Sequence, residues 1–154
     1  MNNTGQNNYQ QQMITLFNRY LSNVAVLINK LYNLHWNIEG PFFYGLHDKF
    51  EEYYDELHEI FDEVAERIKQ FNGYPIANLK QYNETSQIKS IESKPYNERE
   101  AVMNLVNDFE YMIMISNQII NNAGEVNDEA TIVLFGEYTY FFQKELWMLK
   151  ANLK

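Results

Sequence analysis

All three histidines of the chain, His35, His47 and His58, lie between residues 33 and 67. Carboxylates occur in the same stretch, and imidazole and carboxylate groups together suit a divalent first-row metal such as iron, manganese or zinc. The carboxylates that fall at helical spacing with these histidines are Glu51, Asp55, Asp62 and Glu66. The stretch therefore predicts a metal site, provided that these groups converge in space.

If residues 43–70 form one helix, the groups from position 47 onward share a stripe about 100° wide. One copy of this helix cannot bind a single metal ion with both its first and its later ligands. His47 and Asp62 are separated by about 22 Å at 1.5 Å per residue, whereas metal–ligand bonds are about 2.0–2.2 Å long. Two antiparallel copies related by a two-fold axis bring His47 of one to Asp62 of the other. The same register brings Glu51 to His58. A solvated polar face with incidental histidines has the same spacing and stays open as the alternative.

Composition narrows the classes of protein to consider. The chain has 154 residues, no cysteine and a formal net charge of −9, with a pI near 4.8. This length predicts one domain with a proper core. The lack of cysteine excludes disulfides and thiolate metal sites. The acidic balance disfavours non-specific binding to nucleic acid and suits the attraction of cations.

The N-terminal residues 1–9 are rich in Asn and Gln and contain no Lys or Arg. This composition predicts a mobile tail, and one poorly suited to gripping the phosphates of DNA. The segment also lacks the basic start and apolar stretch of a secretory signal. No apolar run in the sequence reaches the 18 residues expected of a membrane span. We therefore expect a cytoplasmic protein.

Apolar periodicity predicts four long helices, over about 10–37, 43–70, 97–124 and 128–151. Punctuating residues mark their ends. The run Glu39-Gly40-Pro41 ends the first helix, and Gly73 suits a left-handed position after the second helix. Asn97 begins the third helix, and Asn127 or Asp128 the fourth. The crossover over 76–96 is long and polar, with one short helix near 78–83. The fold class is therefore all-α, a ferritin-like four-helix bundle over residues 10–154.

The hairpin of the first two helices brings His35 and His47 to the same end of the bundle, because the connection between them is short. A di-iron site inside a single bundle usually needs two Glu-x-x-His motifs. The sequence contains none, and the third and fourth helices contain no histidine. The nearest motif is Asp55-x-x-His58. A site shared between two chains is therefore favoured over a site inside one.

Several short motifs accompany these candidate ligands. They are His35-Trp36, Gly40-Pro41, Leu46-His47, Glu51 and the run Asp62-Glu63-Val64-Ala65-Glu66-Arg67. Together these residues resemble the Dps family, the miniferritins that protect DNA during starvation. The segment Lys144-Glu145-Leu146-Trp147-Met148 resembles the helix-four signature of that family, with Glu145 where many members have His. The resemblance covers about residues 10–153.

The resemblance implies a hollow homododecamer that oxidises Fe(II), typically with hydrogen peroxide or else with O2, and stores ferric oxide, protecting against oxidative stress. It implies a ferroxidase centre between two-fold related subunits, holding two irons, or one iron with a second weak site. The catalytic metal ligands would be His35, His47 and Glu51 from one chain and Asp62 and Glu66 from the other. Glu51 stands where many members have Asp. Its side chain is one methylene longer, and it should still be able to bind the metal.

Three further positions carry hypotheses. Trp36 resembles the tryptophan thought to pass or trap electrons in the family, with plain packing as the alternative. His58 is predicted to approach Glu51 of the second copy as an accessory ligand or hydrogen-bond partner. Acids early in the fourth helix line the three-fold entry pores of the family, which assigns Asp128 and Glu137 to a pore. Val133 stands where another acid is common, so this pore is expected to be less negative.

Two other functional classes remain as alternatives. One is a structural protein that binds and compacts DNA, which the uncharged tail and the net charge of −9 disfavour. The other is an immunomodulatory or purely structural shell with a weak metal site.

Overall fold

The computed structural model of the chain describes residues 3–154, and these form five helices. The helices are α1 (Asn3–Asn37), α2 (Phe43–Gln70), α3 (Leu79–Thr85), α4 (Glu98–Gly124) and α5 (Glu129–Asn152). α1 packs along α2, α4 packs along α5, and α1 also contacts α3 and α4. The predicted ferritin-like bundle, with a short helix in the crossover between its second and third long helices, is confirmed.

Aromatic side chains fill the centre of the bundle. Phe17 of α1 stacks on Phe135 of α5 with ring centroids 5.4 Å apart, and the edge of Tyr20 meets the same Phe135 ring at 5.0 Å. In α4, Phe109 meets Phe142 of α5 at 5.1 Å. Pairs of this geometry stabilise a core beyond the area they bury, by about 0.5–1.5 kcal/mol each. The apolar rows read from the sequence thus point inward on three of the long helices.

α2 ends in a Schellman motif, but the left-handed residue is Asn72 (φ 57°) rather than the predicted Gly73. The Gly73 N–H donates to the carbonyl of Ile68 at 2.9 Å, and the Asn72 N–H donates to that of Lys69 at 2.9 Å. Position 73 needs a glycine for a different reason, because two isoleucine side chains lie close to where a Cβ would be placed. A Cβ there would lie 2.9 Å from the side chain of Ile68 and 3.0 Å from that of Ile14, where α1 passes the end of α2.

The junction between α4 and α5 uses two adjacent residues for two tasks. Asn127 (φ 57°) takes the left-handed conformation that ends α4. The side chain of Asp128 then accepts a hydrogen bond from the Thr131 N–H at 3.2 Å and caps α5. The Asn97 side chain caps α4 in the same way through the Glu100 N–H. The predicted helix starts are therefore confirmed.

The predicted N-terminal tail differs from the structure over residues 3–9, which form the first two turns of α1. Tyr9 donates a hydrogen bond to Asp128 at 2.8 Å, and Gln10 donates to the backbone carbonyl of Phe71. These contacts tie the extension to the far end of α2 and the start of α5, a tertiary effect that composition does not encode. Residues 1 and 2, part of the same prediction, lie outside the described residues.

The crossover is fastened to α1 at two points. The Asn23 side-chain oxygen accepts hydrogen bonds from the Ser86 hydroxyl at 3.0 Å and from the Gln87 N–H at 2.8 Å. Backbone bonds then pair Tyr96 with the end of α1, through the carbonyl of Asn37 and the N–H of Glu39. The crossover is thereby bonded to the middle of α1 through Asn23 and to its end through Tyr96. None of the helices over residues 3–154 is long and apolar enough to cross a membrane.

Candidate metal centre

His35 and His47 form one compact pair where the α1–α2 hairpin turns. Their imidazole rings stack with centroids 3.7 Å apart and planes 16° apart. The Nδ1 of His35 bonds the backbone carbonyl of His47 at 2.7 Å, and the Nδ1 of His47 bonds the carbonyl of His35 at 2.8 Å. Because a carbonyl only accepts, both Nδ1 atoms donate, and each neutral ring carries its lone pair on Nε2. This is the tautomer in which histidine binds a metal through Nε2.

Aromatic rings hold this pair of histidines in place. Phe43 stacks on His47 at 5.1 Å, and Tyr54 meets His35 edge-on at 5.4 Å. His35 is buried, with 7% of its surface exposed, and His47 is half-buried. Desolvation raises the pKa of the Tyr54 phenol, and the charge of Glu51 adds to the effect.

The remaining candidate ligands are carboxylates of α2, and the two later ones lie away from this pair. Glu51, Asp62 and Glu66 are all exposed on the helix surface. Asp62 follows His47 by fifteen residues, which is about 22 Å of helix. Within the described chain, residues 3–154, no group of three or more His, Asp or Glu side chains converges on a metal position. The structure thus joins His35 with His47 and leaves the two later carboxylates apart from them.

His58 is exposed on α2 and already has a hydrogen-bond partner in its own chain. Its Nε2 lies 3.2 Å from the hydroxyl of Tyr32. Tyr32 in turn stacks on Tyr54 at 4.2 Å and lies 5.3 Å from the ring of Trp36. A metal bound through His58 Nε2 would displace the Tyr32 hydroxyl. The hypothesis that His58 approaches Glu51 of a second copy stays a prediction.

Comparisons with known proteins agree with this architecture. The family described as Ferritin-like domain matches residues 14–154. The DNA protection during starvation protein 2 of Bacillus anthracis is 39% identical over 149 residues, spanning 93% of this chain and 97% of that protein. The crystal structure of a Dps protein from Bacillus brevis matches with a TM-score of 0.91 at 37% identity, covering 96% of this chain and 98% of that one. The chain belongs to the Dps family of ferritin-like proteins.

A further Dps structure connects the fold with a type of metal site. The Dps protein from Vibrio cholerae O1 matches with a TM-score of 0.91 at 34% identity, covering 96% of this chain and 92% of that one. That protein is described as a member of a broad superfamily of ferritin-like diiron-carboxylate proteins. The donor set of the present Dps chain, imidazole and carboxylate without thiolate, fits iron chemically.

The two acids assigned to an entry pore differ in their surroundings: Asp128 is bonded within the chain, whereas Glu137 is exposed. Asp128 is engaged within the chain, since Arg67 Nη2 donates to its carboxylate at 3.0 Å alongside the bonds from Tyr9 and Thr131. Glu137 and Val133 are exposed on α5, Val133 to 59%. A carboxylate that is already paired with a guanidinium attracts a passing cation less strongly. Of the two assigned acids, Glu137 is therefore the better candidate for a pore.

Two features of this Dps chain were missed in the sequence. Tyr32, the partner of His58, lies three residues before His35 on the same helix, and that spacing is the signal that could have found it. Glu145 is 7% exposed and its carboxylate lies 3.3 Å from the Nζ of Lys49, so it pairs across helices instead of joining His35 and His47. Burial raises the pKa of the nearby Tyr53 phenol, and Glu145 adds to the effect.

Proposed function

We propose that this Dps protein oxidises Fe(II) at centres shared by two chains and stores the ferric product inside a hollow assembly of twelve. The observation that carries the proposal is the pair of mutual hydrogen bonds between His35 and His47. These bonds present two Nε2 donors at one end of the hairpin. Imidazole nitrogens of this kind suit Fe(II), and the description of the Vibrio cholerae relative as a diiron-carboxylate protein supports iron as the substrate.

Each centre would take His35, His47 and Glu51 from one chain and Asp62 and Glu66 from a second chain. Support for this division comes from the length of α2, because Asp62 and Glu66 lie too far from the histidines for one chain to use both. An antiparallel second copy brings them together twice, once at each end of the interface. Three carboxylates per centre would offset most of the charge of two Fe(II) ions, which a half-buried site requires.

The reaction takes one electron from each of two Fe(II) ions and gives both to one peroxide molecule. The O–O bond of the peroxide breaks, and with two protons its oxygens leave as two molecules of water. Using both electrons at one centre avoids the hydroxyl radical that a single-electron transfer would release. O2 is the alternative oxidant. Removal of Fe(II) and peroxide together gives the protein a protective role under oxidative stress.

Complementation between two inactive variants tests whether the centre is shared. One variant, His35→Gln/His47→Gln, lacks the imidazoles, and the other, Asp62→Asn/Glu66→Gln, lacks the distal carboxylates. Each is expected to lose rapid Fe(II) oxidation, followed by stopped-flow absorbance. Co-assembled at random, half of the two-fold pairs contain one chain of each kind and regain one of two centres, so about a quarter of the centres recover.

The control for this experiment is Glu56→Gln, which changes an exposed carboxylate on another face of α2 and is expected to keep the full rate. Circular dichroism and light scattering establish that every variant folds and assembles. Mixed assemblies that stay as inactive as their parents would rule out a centre divided between chains. If Asp62→Asn/Glu66→Gln alone oxidised Fe(II) at the full rate, those two carboxylates would not be ligands of the centre.

A further inference from the structure

Tyr54 lies beside candidate ligands from both helices of the hairpin. It is buried, with 9% of its surface exposed, and its ring meets the His35 ring edge-on, with centroids 5.4 Å apart and planes at 88°. On α2 it follows Glu51 by three residues, a spacing that makes two side chains neighbours on a helix surface. His47, Glu51 and Tyr54 together fall within a stripe of the helix about 60° wide. Tyr54 is therefore placed to act on an imidazole and on a carboxylate.

The ring of Tyr54 has a second aromatic neighbour. Tyr32 stacks on it with centroids 4.2 Å apart and planes 24° apart, and the Tyr32 hydroxyl lies 3.2 Å from Nε2 of His58. Stacked and edge-on contacts are the preferred geometries of aromatic pairs, and closely packed side chains stay in their rotamer minima. Contacts from Tyr32 and His35 thus fix the ring of Tyr54, and that ring in return limits the movement of His35.

The hydroxyl of Tyr54 interacts with Glu51. Burial raises the pKa of this phenol first, the charge of Glu51 raises it further, and a hydrogen bond to the Glu51 carboxylate makes a smaller contribution. Because an ionised carboxylate only accepts, the phenol is the donor in this bond. Glu51 is exposed, and an exposed Glu side chain samples many rotamers unless a partner holds it. A donor at the next turn of the helix is such a partner.

We propose that Tyr54 is a positioning residue of the metal centre, with its ring holding the His35 imidazole and its hydroxyl holding the Glu51 carboxylate beside the imidazole pair. The inference rests on the proposed shared centre, in which His35 and Glu51 bind iron. Tyr54 itself does not touch the metal. It lowers the entropy that Glu51 loses on binding, and residues that orient a ligand in this way change metal affinity by about 10–100-fold.

Co(II) is the probe for this role, because it takes the same imidazole and carboxylate ligands as Fe(II). Titration of the assembled protein, followed by the visible absorbance of bound Co(II), gives the affinity without any turnover. Tyr54→Phe keeps the ring and removes the hydroxyl, so a loss of about 10-fold in Co(II) affinity is expected. The rate at saturating Fe(II) should change by less than about 3-fold. The control, Tyr140→Phe, removes the hydroxyl of a tyrosine of α5 that is 69% exposed and is expected to change neither quantity.

A double-mutant cycle separates positioning from a purely structural role. The carboxylate of Glu51→Asp ends about 1.5 Å short of the original one, so it no longer reaches the hydroxyl. Tyr54→Phe should therefore cost less than about 2-fold in Co(II) affinity in the Glu51→Asp background. Equal losses in the two backgrounds would mean that the hydroxyl acts without Glu51, which overturns that part of the inference, and so would an unchanged affinity in Tyr54→Phe.

Tyr54→Leu tests the ring. It is expected to weaken Co(II) binding by at least about 3-fold more than Tyr54→Phe does, and this extra loss should vanish in the His35→Gln background. Circular dichroism checks that each variant is folded. An extra loss that persists in His35→Gln, or no extra loss at all, overturns the role of the ring. Glu51→Gln tests the shared centre separately, since full Co(II) affinity and a full oxidation rate in that variant would contradict Glu51 as a ligand, whatever Tyr54→Phe shows.

Discussion

His35 and His47 orient each other. Their rings stack 3.7 Å apart, and each ring donates its Nδ1 hydrogen to the backbone carbonyl of the other residue. The ring positions are therefore fixed by the ends of α1 and α2 rather than by an ion. In the proposed centre, these two histidines would be organised before Fe(II) binds, which would favour fast and selective binding.

Replacing one member of this pair is expected to abolish rapid oxidation. His35→Gln removes an Nε2 donor and the bond to the His47 carbonyl, so we expect the Fe(II) oxidation rate to fall by roughly 100-fold or more. His58→Gln is the matched control, because its amide can still bond the Tyr32 hydroxyl, and a change under about 3-fold is expected. Stopped-flow absorbance measures both. An equal loss in His58→Gln would instead support the accessory role predicted for His58.

Much of the fold was predictable because its signals are local. The limits of α2 follow from Gly40-Pro41 at one end and Asn72-Gly73 at the other, and the caps Asn97 and Asp128 follow from side-chain chemistry. Gly73 shows where local reasoning stops. Its neighbour Asn72 takes the left-handed conformation. A glycine is needed at position 73 because a Cβ there would come too close to the side chain of Ile14, from a distant part of α1.

For the candidate site, the sequence predicted that His35 and His47 would meet, because a short connection joins their helices. It did not predict how they bind each other, since the acceptors are backbone carbonyls that any residue type provides. The engagement of Asp128 by Arg67 and Tyr9 was missed for a related reason. These partners lie 61 and 119 residues away, and nothing in local spacing connects them.

Asp128 is expected to stabilise the fold in a pH-dependent way. Partial burial acts to raise its pKa, but hydrogen bonds from Thr131 and Tyr9 and the charge of Arg67 outweigh burial and hold the pKa below its ordinary 3.8. The unfolded chain therefore takes up this proton first on acidification. The stabilisation is present above about pH 4 and is lost as the pH falls through the folded-state pKa.

Asp128→Asn measures this contribution. At pH 7 we expect the free energy of unfolding in urea to fall by about 1–2 kcal/mol, because the cap and the Arg67 bond are weakened. The difference from the unsubstituted protein should shrink near pH 3. Glu125→Gln, an exposed acid one turn earlier, is expected to change little at either pH. A difference that stays constant between the two pH values would contradict the assignment.

The buried ion pair between Lys30 and Asp108 is expected to matter chiefly when one partner is removed. Lys30 Nζ lies 2.7 Å from the Asp108 carboxylate, with 5% and 11% of the two side chains exposed. Asp108→Leu leaves a buried ammonium unpaired, so a loss of about 3–5 kcal/mol is expected. The double variant Lys30→Met/Asp108→Leu should recover most of that loss, as measured by urea unfolding.

The surface pair of Lys150 and Glu110 is the control for this cycle. Its atoms are as close, at 2.6 Å, but both side chains are 49% exposed. Glu110→Gln is therefore expected to cost at most about 1 kcal/mol. Equal costs for Glu110→Gln and Asp108→Leu would show that burial does not govern the energetics of the Lys30 pair.

The assembled protein is expected not to retard duplex DNA in a gel shift, even at low salt. Each chain carries a net charge of −9, and residues 1–9 contain no Lys or Arg. Counterion release from phosphates, which drives most non-specific DNA binding, needs cationic side chains on the outer surface. The quadruple variant Asn7→Lys/Asn8→Lys/Gln11→Lys/Gln12→Lys changes exposed positions of α1 and is expected to gain retardation that disappears as salt rises. Salt-sensitive retardation by the unsubstituted protein would revive DNA compaction as a function.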